Sequence, residues 1–430
     1  MRKWSIIPFL VIVFVLPFLF GGCDEDIQYY KWNLVQLESK DGVDYVCGNG
    51  SPYKFFVNPS LTSKNVLIYY EGGGACWDYP SCSGQSGIRG AANPNGIPDD
   101  YMEGFSVPAI MSPFIFRAHP WERVATQDWT LIFVPYCTGD IFIGDNTAIY
   151  TSEDDTELTW HHNGFKNTQG ILDWMTDGPF KKHFKTIPKL MVTGCSAGGA
   201  GAFLNYHFIR DKLKNNVDEA ILLNDSGPIY YTTTETPPDE IDPNWTGNLW
   251  SGPLHTKIQD AWGVGTVLDH IDDEYGLNRE DYGSLNTVLS NLYPDDKLAH
   301  TQFTRDAIYS GYSYDRFYDP VPTPDKIHAM WGDDQTYLLA MYNDLYGKNK
   351  NIGYFVPYYR PFNESHCSCV LSFDDTHITG TGMNVGDYAN SLLDSRQSMT
   401  DMRILEEPSE EELTRPYPFW NLLDLLMGAL

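Results

Sequence analysis

The sequence predicts an α/β fold built on a mainly parallel sheet with helices on both faces. Three observations predict it. Short apolar runs near residues 65–70, 129–134, 190–192 and 219–223 alternate with segments of helical period. One of these runs ends in Gly194-Cys-Ser196-Ala-Gly198, so a G-x-S-x-G turn sits between a strand and a helix. An earlier run ends in Gly72-Gly73-Gly74, where backbone can turn inward with no side chain in the way.

The chain opens with an export signal. Arg2 and Lys3 precede an apolar run over 6–20, and Gly21-Gly22 leads into Cys23 and three acidic residues. This pattern predicts a lipoprotein-type signal over 1–23, with Cys23 lipidated as the mature N-terminus. Plain secretion with cleavage near Gly22 is the alternative. Either way the mature chain is exported, to the cell envelope or outside the cell.

Residues 24–60 read as short antiparallel strands. The strand over 65–70 ends at Glu71. Residues 79–125 hold many Gly, Pro, Ser and Asn and no periodic pattern, which predicts a long loop over the site. A second buried strand, 129–134, closes on Pro135-Tyr-Cys-Thr-Gly-Asp140, and a helix covers 163–175. The strand over 190–192 and a helix from about Gly199 flank Ser196. A strand over 219–223 ends in Asn224-Asp225-Ser226-Gly227.

Residues 230–300 break the alternation with prolines, acids and two weak helices, near 255–275 and 279–292. They are read as a cap insertion, after which 297–304 returns to the sheet. A helix over 325–345, a last strand over 352–358, a loop carrying His366 and a helix over 385–393 complete a catalytic domain of residues 24–400. Residues 401–430 read as an acidic linker and an apolar tail. No internal repeat is present.

The formal net charge of −28 excludes nucleic acid as a partner and disfavours docking on anionic lipid or polyanions. Contact with a membrane is therefore expected only through the N-terminal lipid. The 28 Tyr and 12 Trp suit carbohydrate-facing surfaces and are also common in extracellular enzymes. Eight cysteines in an exported chain point to disulfides. If Cys23 carries lipid, seven remain and at least one is unpaired. Cys76 and Cys82 close a short loop and are the expected pair. No cysteine spacing suits a zinc site, and no metal or cofactor is expected.

A serine on such a turn is held in strained dihedrals that push its hydroxyl outward, and it needs a base and an orienting acid. In hydrolases with this turn the chain order is Ser, then Asp or Glu, then His. Ser196 is the nucleophile candidate. His366, in the loop after the last strand, is the base, with His377 as runner-up. His207 belongs to the helix after Ser196, and His255, His270, His300 and His328 to the insertion or to helices. Asp306 is the acid, with Asp225 and Asp315 as competitors. The N–H groups of Gly73, Gly74 and Ala197 are the expected oxyanion donors.

Tyr70-Glu-Gly-Gly-Gly-Ala-Cys76-Trp77, Val134-Pro-Tyr-Cys-Thr-Gly-Asp140, Gly194-Cys-Ser-Ala-Gly-Gly199, Asp225-Ser-Gly227 and Ser365-His366-Cys367 together resemble the pectin acetylesterase family, which includes the Notum carboxylesterases. The resemblance covers about residues 40–395. It implies an α/β-hydrolase fold, no metal, Ser196 as nucleophile, His366 as base, and Gly73, Gly74 and Ala197 at the oxyanion. It does not select the acid, and it leaves pectin itself open.

The function expected is an exported serine ester hydrolase that removes acyl groups, acetyl first among them, from polysaccharide. A fatty-acyl carboxylesterase and an inactive surface-binding protein are the alternatives. A serine peptidase ranks last, since nothing marks a pocket for a peptide chain.

Overall fold

The computed structural model describes residues 27–232, 249–271 and 275–410, together with Leu413. The expectations for the export signal, Cys23 and the apolar tail lie outside these residues.

Among the described residues, eleven strands form a nine-stranded sheet and a separate hairpin. In chain order they are β1 (Asn33–Gln36), β2 (Lys54–Asn58), β3 (Val66–Tyr70), β4 (Thr130–Val134), β5 (Asn146–Thr151), β6 (Glu157–His162), β7 (Ile187–Cys195), β8 (Val217–Asp225), β9 (Lys297–Thr301), β10 (Ile352–Val356) and β11 (Arg403–Leu405). The large sheet runs β1-β2-β4-β3-β7-β8-β9-β10-β11. β2 is antiparallel to β1 and β4, and every other neighbouring pair is parallel. The fold is thus α/β and α/β-hydrolase-like.

Sequence chemistry explains the centre of the sheet. All five residues of β3 and all five of β4 are buried, as expected of strands covered on both faces, and neither run alternates. β7 and β8 extend beyond the apolar runs because Lys189 and Glu219 pair in the ladder near the strands' amino-terminal ends, where polar side chains reach solvent.

Among the described residues, seven helices of eight residues or more accompany the sheet: α1 (Gly164–Asp177), α2 (Ala197–Lys212), α3 (Gly252–Trp262), α4 (Leu285–Leu292), α5 (Ala307–Tyr314), α6 (Pro324–Asn349) and α7 (Val385–Leu393). The insertion between β8 and β9 carries α3 and α4, both shorter than expected. Gly263, in the left-handed region at φ 69°, terminates α3.

Four expectations need correction. The hairpin β5–β6 falls in a stretch with no assigned element, because its outer strand is mostly exposed and its composition polar. Residues 403–405 are not linker: β11 pairs in parallel with β10, so the sheet continues past residue 400. His300 lies on β9, buried, with Nε2 2.7 Å from Gln302 Oε1. The 79–125 loop is also more than a cover, because Met102, Phe114 and Ile115 enter the core.

Cys47 and Cys137 are bridged, as are Cys76 and Cys82, and Cys195 and Cys367. Cys369 is free and buried. No helix among the described residues is long and apolar enough to cross a membrane.

Candidate active site

The strand order reverses at β3, which lies between β4 and β7. Ligands of open α/β sheets bind beyond the carboxyl ends of strands at such a point. The Gly72–Gly74 turn leaves the end of β3, and Ser196 leaves the end of β7.

Ser196 has φ 58° and ψ −123°, a strained conformation for a residue with a side chain. Its N–H donates to the Asp225 carbonyl at 2.9 Å, which ties the turn to β8. Gly198 permits the turn: a Cβ there would lie 2.1 Å from the Tyr70 carbonyl oxygen. Ala197 begins α2, so its N–H is one of the helix-end donors without an intrahelical acceptor.

The Gly72–Gly74 turn is braced from below. The Tyr136 ring packs so closely that a Cβ on Gly73 would lie 2.6 Å from it. Glu71, buried at the end of β3, accepts from the Tyr136 N–H at 2.8 Å and from the Tyr101 hydroxyl at 2.6 Å. Burial pushes the Glu71 carboxyl up to about 7, and the two hydrogen bonds only partly offset this.

His366 and Asp306 meet across 60 residues of chain. His366 Nδ1 is 2.7 Å from Asp306 Oδ2, and both side chains are buried. Asp306 is also the N-cap of α5, its Oδ1 accepting from the Tyr309 N–H at 2.8 Å. One carboxylate therefore starts a helix and faces an imidazole.

The other candidates lie elsewhere. Asp225 is buried at the end of β8 but accepts from Ser368 N, Ser368 Oγ and Cys369 N, each at 2.9 Å. It fastens the loop that carries His366. Asp315 pairs with Arg89, and His377 is exposed.

The His366 loop is strained. Asn363, Glu364, Ser365 and Cys367 all have φ between 48° and 59°. Such residues persist only where their surroundings hold them. Ser226 Oγ accepts from Cys367 N at 3.1 Å, and the buried Arg360 guanidinium donates to the carbonyls of Cys367 and His366. The Cys195–Cys367 bridge completes the brace, since it joins the residue before Ser196 to the residue after His366.

A cavity of about 360 Å³ brings these groups together. Ser196, Ala197, His366 and Gly72–Gly74 line one part of it. Trp77, Met111, Ile141, Ile229, Leu254 and Ile258 make the rest largely apolar. Ile141 and the following Phe142 have φ of 47° and 63°, an unusual backbone for a β-branched residue. The Asp140 carboxylate steadies them by accepting from Phe142 N and Gly164 N.

Among the described residues one metal-like grouping occurs, Cys76, Cys82 and His162. Its two sulfurs are consumed by the disulfide between them.

Sequence reasoning missed the cavity wall and the loop braces. The wall is gathered from loop residues such as Trp77, Met111, Ile141 and Ile229 and from one face each of α3 and α5, and no local pattern marks which of these turn toward a site. The Cys195–Cys367 bridge did leave a signal, because one cysteine directly precedes Ser196 and the other directly follows His366.

A family model described as pectinacetylesterase matches residues 24–242, just over half of the chain. The palmitoleoyl-protein carboxylesterase NOTUM of Drosophila melanogaster is 28% identical over 219 residues, which is 48% of this chain and 30% of that protein. Pectin acetylesterase 4 of Arabidopsis thaliana is 25% identical over 226 residues, 49% of this chain and 51% of that protein. The planarian NOTUM of Schmidtea mediterranea is 24% identical over 200 residues, covering 46% and 34%. The chain spans about half or less of the length of these relatives. The family match includes Gly72–Gly74 and Ser196, whereas Asp306 and His366 lie beyond it.

Proposed function

Because the chain belongs to the pectinacetylesterase family, we propose that it is an exported serine carboxylic ester hydrolase with Ser196, His366 and Asp306 as its triad. One observation carries the reading. His366, drawn from outside the matched segment and held 2.7 Å from the buried Asp306, lines the same cavity as the strained Ser196 within it.

In this reading Ser196 Oγ attacks the ester carbonyl carbon and His366 Nε2 takes the hydroxyl proton. Asp306 holds Nδ1–H and steadies the imidazolium. The N–H groups of Gly73, Gly74 and Ala197 receive the oxyanion, in a site preorganised by the Glu71 brace and the α2 terminus. When the tetrahedral intermediate collapses, the alkoxide leaves with the proton from His366. Water, deprotonated by His366, then attacks the acyl-enzyme, and the carboxylic acid departs as Ser196 regains its proton.

Acyl groups on a polysaccharide are one substrate reading, supported by the similarity to a plant pectin acetylesterase. A second reading is favoured by the cavity itself. Its 360 Å³ lies within the roughly 300–1,000 Å³ typical of small-molecule sites, and an acetyl group would leave most of its apolar wall uncovered. That supports a longer acyl chain, as does the similarity to carboxylesterases named for a palmitoleoyl-protein substrate. The three disulfides support an oxidising compartment. Lipidation at Cys23 remains part of the proposal, tested by fractionating the native chain beside Cys23→Ser.

The test is hydrolysis of p-nitrophenyl esters from acetate to decanoate. Ser196→Ala should lower kcat by about 10⁴–10⁶ with an unchanged circular dichroism spectrum. Full activity in that variant would remove the assignment.

A further inference from the structure

The helix α3 lays one face over the cavity. Ser251, Leu254, His255, Ile258 and Trp262 all line it, at helical spacing. Three are apolar or aromatic, and two are not. Ser251 is 2% exposed and His255 5% exposed, yet Ser251 Oγ and His255 Nδ1 have no hydrogen-bond partner. No described residue bonds to either ring nitrogen of His255.

This is unusual for the cavity. Several of its other polar side chains are already engaged. The hydroxyls of Tyr309 and Tyr312 donate to the carbonyls of Pro228 and Ala75, at 3.2 and 2.6 Å. Gln302 donates to the Tyr230 hydroxyl at 3.0 Å, and Ser313 Oγ donates to the Tyr309 carbonyl at 2.8 Å. Trp262 Nε1 donates to the Cys76 carbonyl at 2.7 Å. The arginine in the lining, Arg89, pairs with Asp315.

Ser251 and His255 are held firmly despite this. The backbone N–H groups of Trp250 and Ser251 both donate to the buried Asp334 carboxylate at 3.0 Å. The His255 ring stacks on Tyr282, with centroids 5.3 Å apart and an interplanar angle of 22°. Leaving a buried polar group without a partner is costly, because its lost hydration is not replaced. A site that tolerates two of them on one turn of one helix is explained if a ligand supplies the partner.

We propose that Ser251 and His255 form a polar subsite within the substrate cavity that takes an uncharged oxygen of the substrate, a hydroxyl or a carbonyl. The proposal rests on the ester-hydrolase reading and deepens it. An uncharged partner fits, because burial pushes His255 down to about 3 and keeps the ring neutral at ordinary pH. A neutral imidazole and a serine hydroxyl each both donate and accept, which matches an alcohol or ketone better than a carboxylate. The oxygen could belong to the acyl chain, as in a hydroxyacyl ester, or to the alcohol half, as in a sugar.

Two substrate pairs separate these sources. The acyl pair is p-nitrophenyl hexanoate and p-nitrophenyl 6-hydroxyhexanoate. The alcohol pair is p-nitrophenyl acetate and methyl 6-O-acetylglucoside. For each pair kcat/KM is measured in the wild type, His255→Phe, Ser251→Ala and Ser196→Ala. His255→Phe keeps the stack on Tyr282, and Ser251→Ala serves should the first variant fail to fold.

The expected result is a fall of about tenfold or more in the ratio of oxygenated to plain substrate, in one pair, in either variant. The pair affected identifies the source. If the ratio holds in both pairs while hydrolysis still depends on Ser196, the subsite is overturned and the hydrolase reading stands. If no ester is hydrolysed in a Ser196-dependent way, both readings fall together.

Discussion

Cys195 and Cys367 are bridged with their Cα atoms 5.6 Å apart and 172 residues between them, so a single covalent link joins the Ser196 turn to the His366 loop. Both flanked residues sit in strained surroundings, Ser196 at φ 58° and His366 between residues of positive φ. The bridge therefore opposes the relaxation that strain would drive. It also removes chain entropy from the unfolded state.

Replacing the pair with Cys195→Ala and Cys367→Ala should lower kcat by about tenfold or more. It should also destabilise the fold by about 2–4 kcal/mol. Kinetics at a temperature where the variant stays folded, beside a thermal melt, measure the two effects separately. A melt shift with unchanged kcat would show that the bridge serves stability alone.

The two buried aspartates should respond differently. Asp306→Asn removes the carboxylate that holds His366 but keeps a good helix cap, so turnover should fall by about 10⁴ with little change in melting. Asp225→Asn weakens the acceptor of two loop N–H groups and the Ser368 hydroxyl, so the melting temperature should drop and turnover with it. Steady-state kinetics and melts on the same preparations decide this. Full turnover in Asp306→Asn would reassign the acid.

The contribution of three buried carboxyls to stability should fall as pH rises from the ordinary carboxylate range to about 7, against the opposite slope of His162, His255 and His300, whose imidazoles burial pushes down. Burial raises Glu71 from 4.5 to about 7 and Asp334 from 3.8 to about 7, and pushes Asp140 up to about 6. Between the two values the folded chain holds a proton that the unfolded chain has released. Each unit of rise then favours unfolding, and the slope flattens above the folded value. Melting temperatures from pH 4.5 to 8 in wild type and Glu71→Gln test this. The difference in melting temperature, wild type minus variant, should decrease as pH rises toward about 7.

If the proposed reaction holds, filling the cavity from α3 should shorten the acyl chain that is accepted. Ile258 lines the apolar wall, so Ile258→Trp should cut kcat/KM for decanoate more than for acetate, by about tenfold in the ratio. A chain-length profile with p-nitrophenyl esters measures it. An unchanged profile would mean that the acyl group lies elsewhere.

The sequence by itself determined the parts of this protein that are local. Unbroken apolar runs marked β3, β4, β7 and β8, because strands buried on both faces cannot alternate. The G-x-S-x-G turn marked Ser196, because backbone approach at Gly198 leaves room for no side chain. The Cys76–Cys82 bridge was legible because a short loop brings its ends together in any fold. Tertiary structure alone decided what depends on distant segments. It set Asp306, and not Asp225, against His366, because the His366 loop lies across the ends of both β8 and β9 and local pattern cannot choose between them. It placed β11 in the sheet, since parallel pairing draws on backbone groups that every residue carries. It turned Ser251 and His255 toward the cavity, because the facing of a helix is fixed by what packs around it.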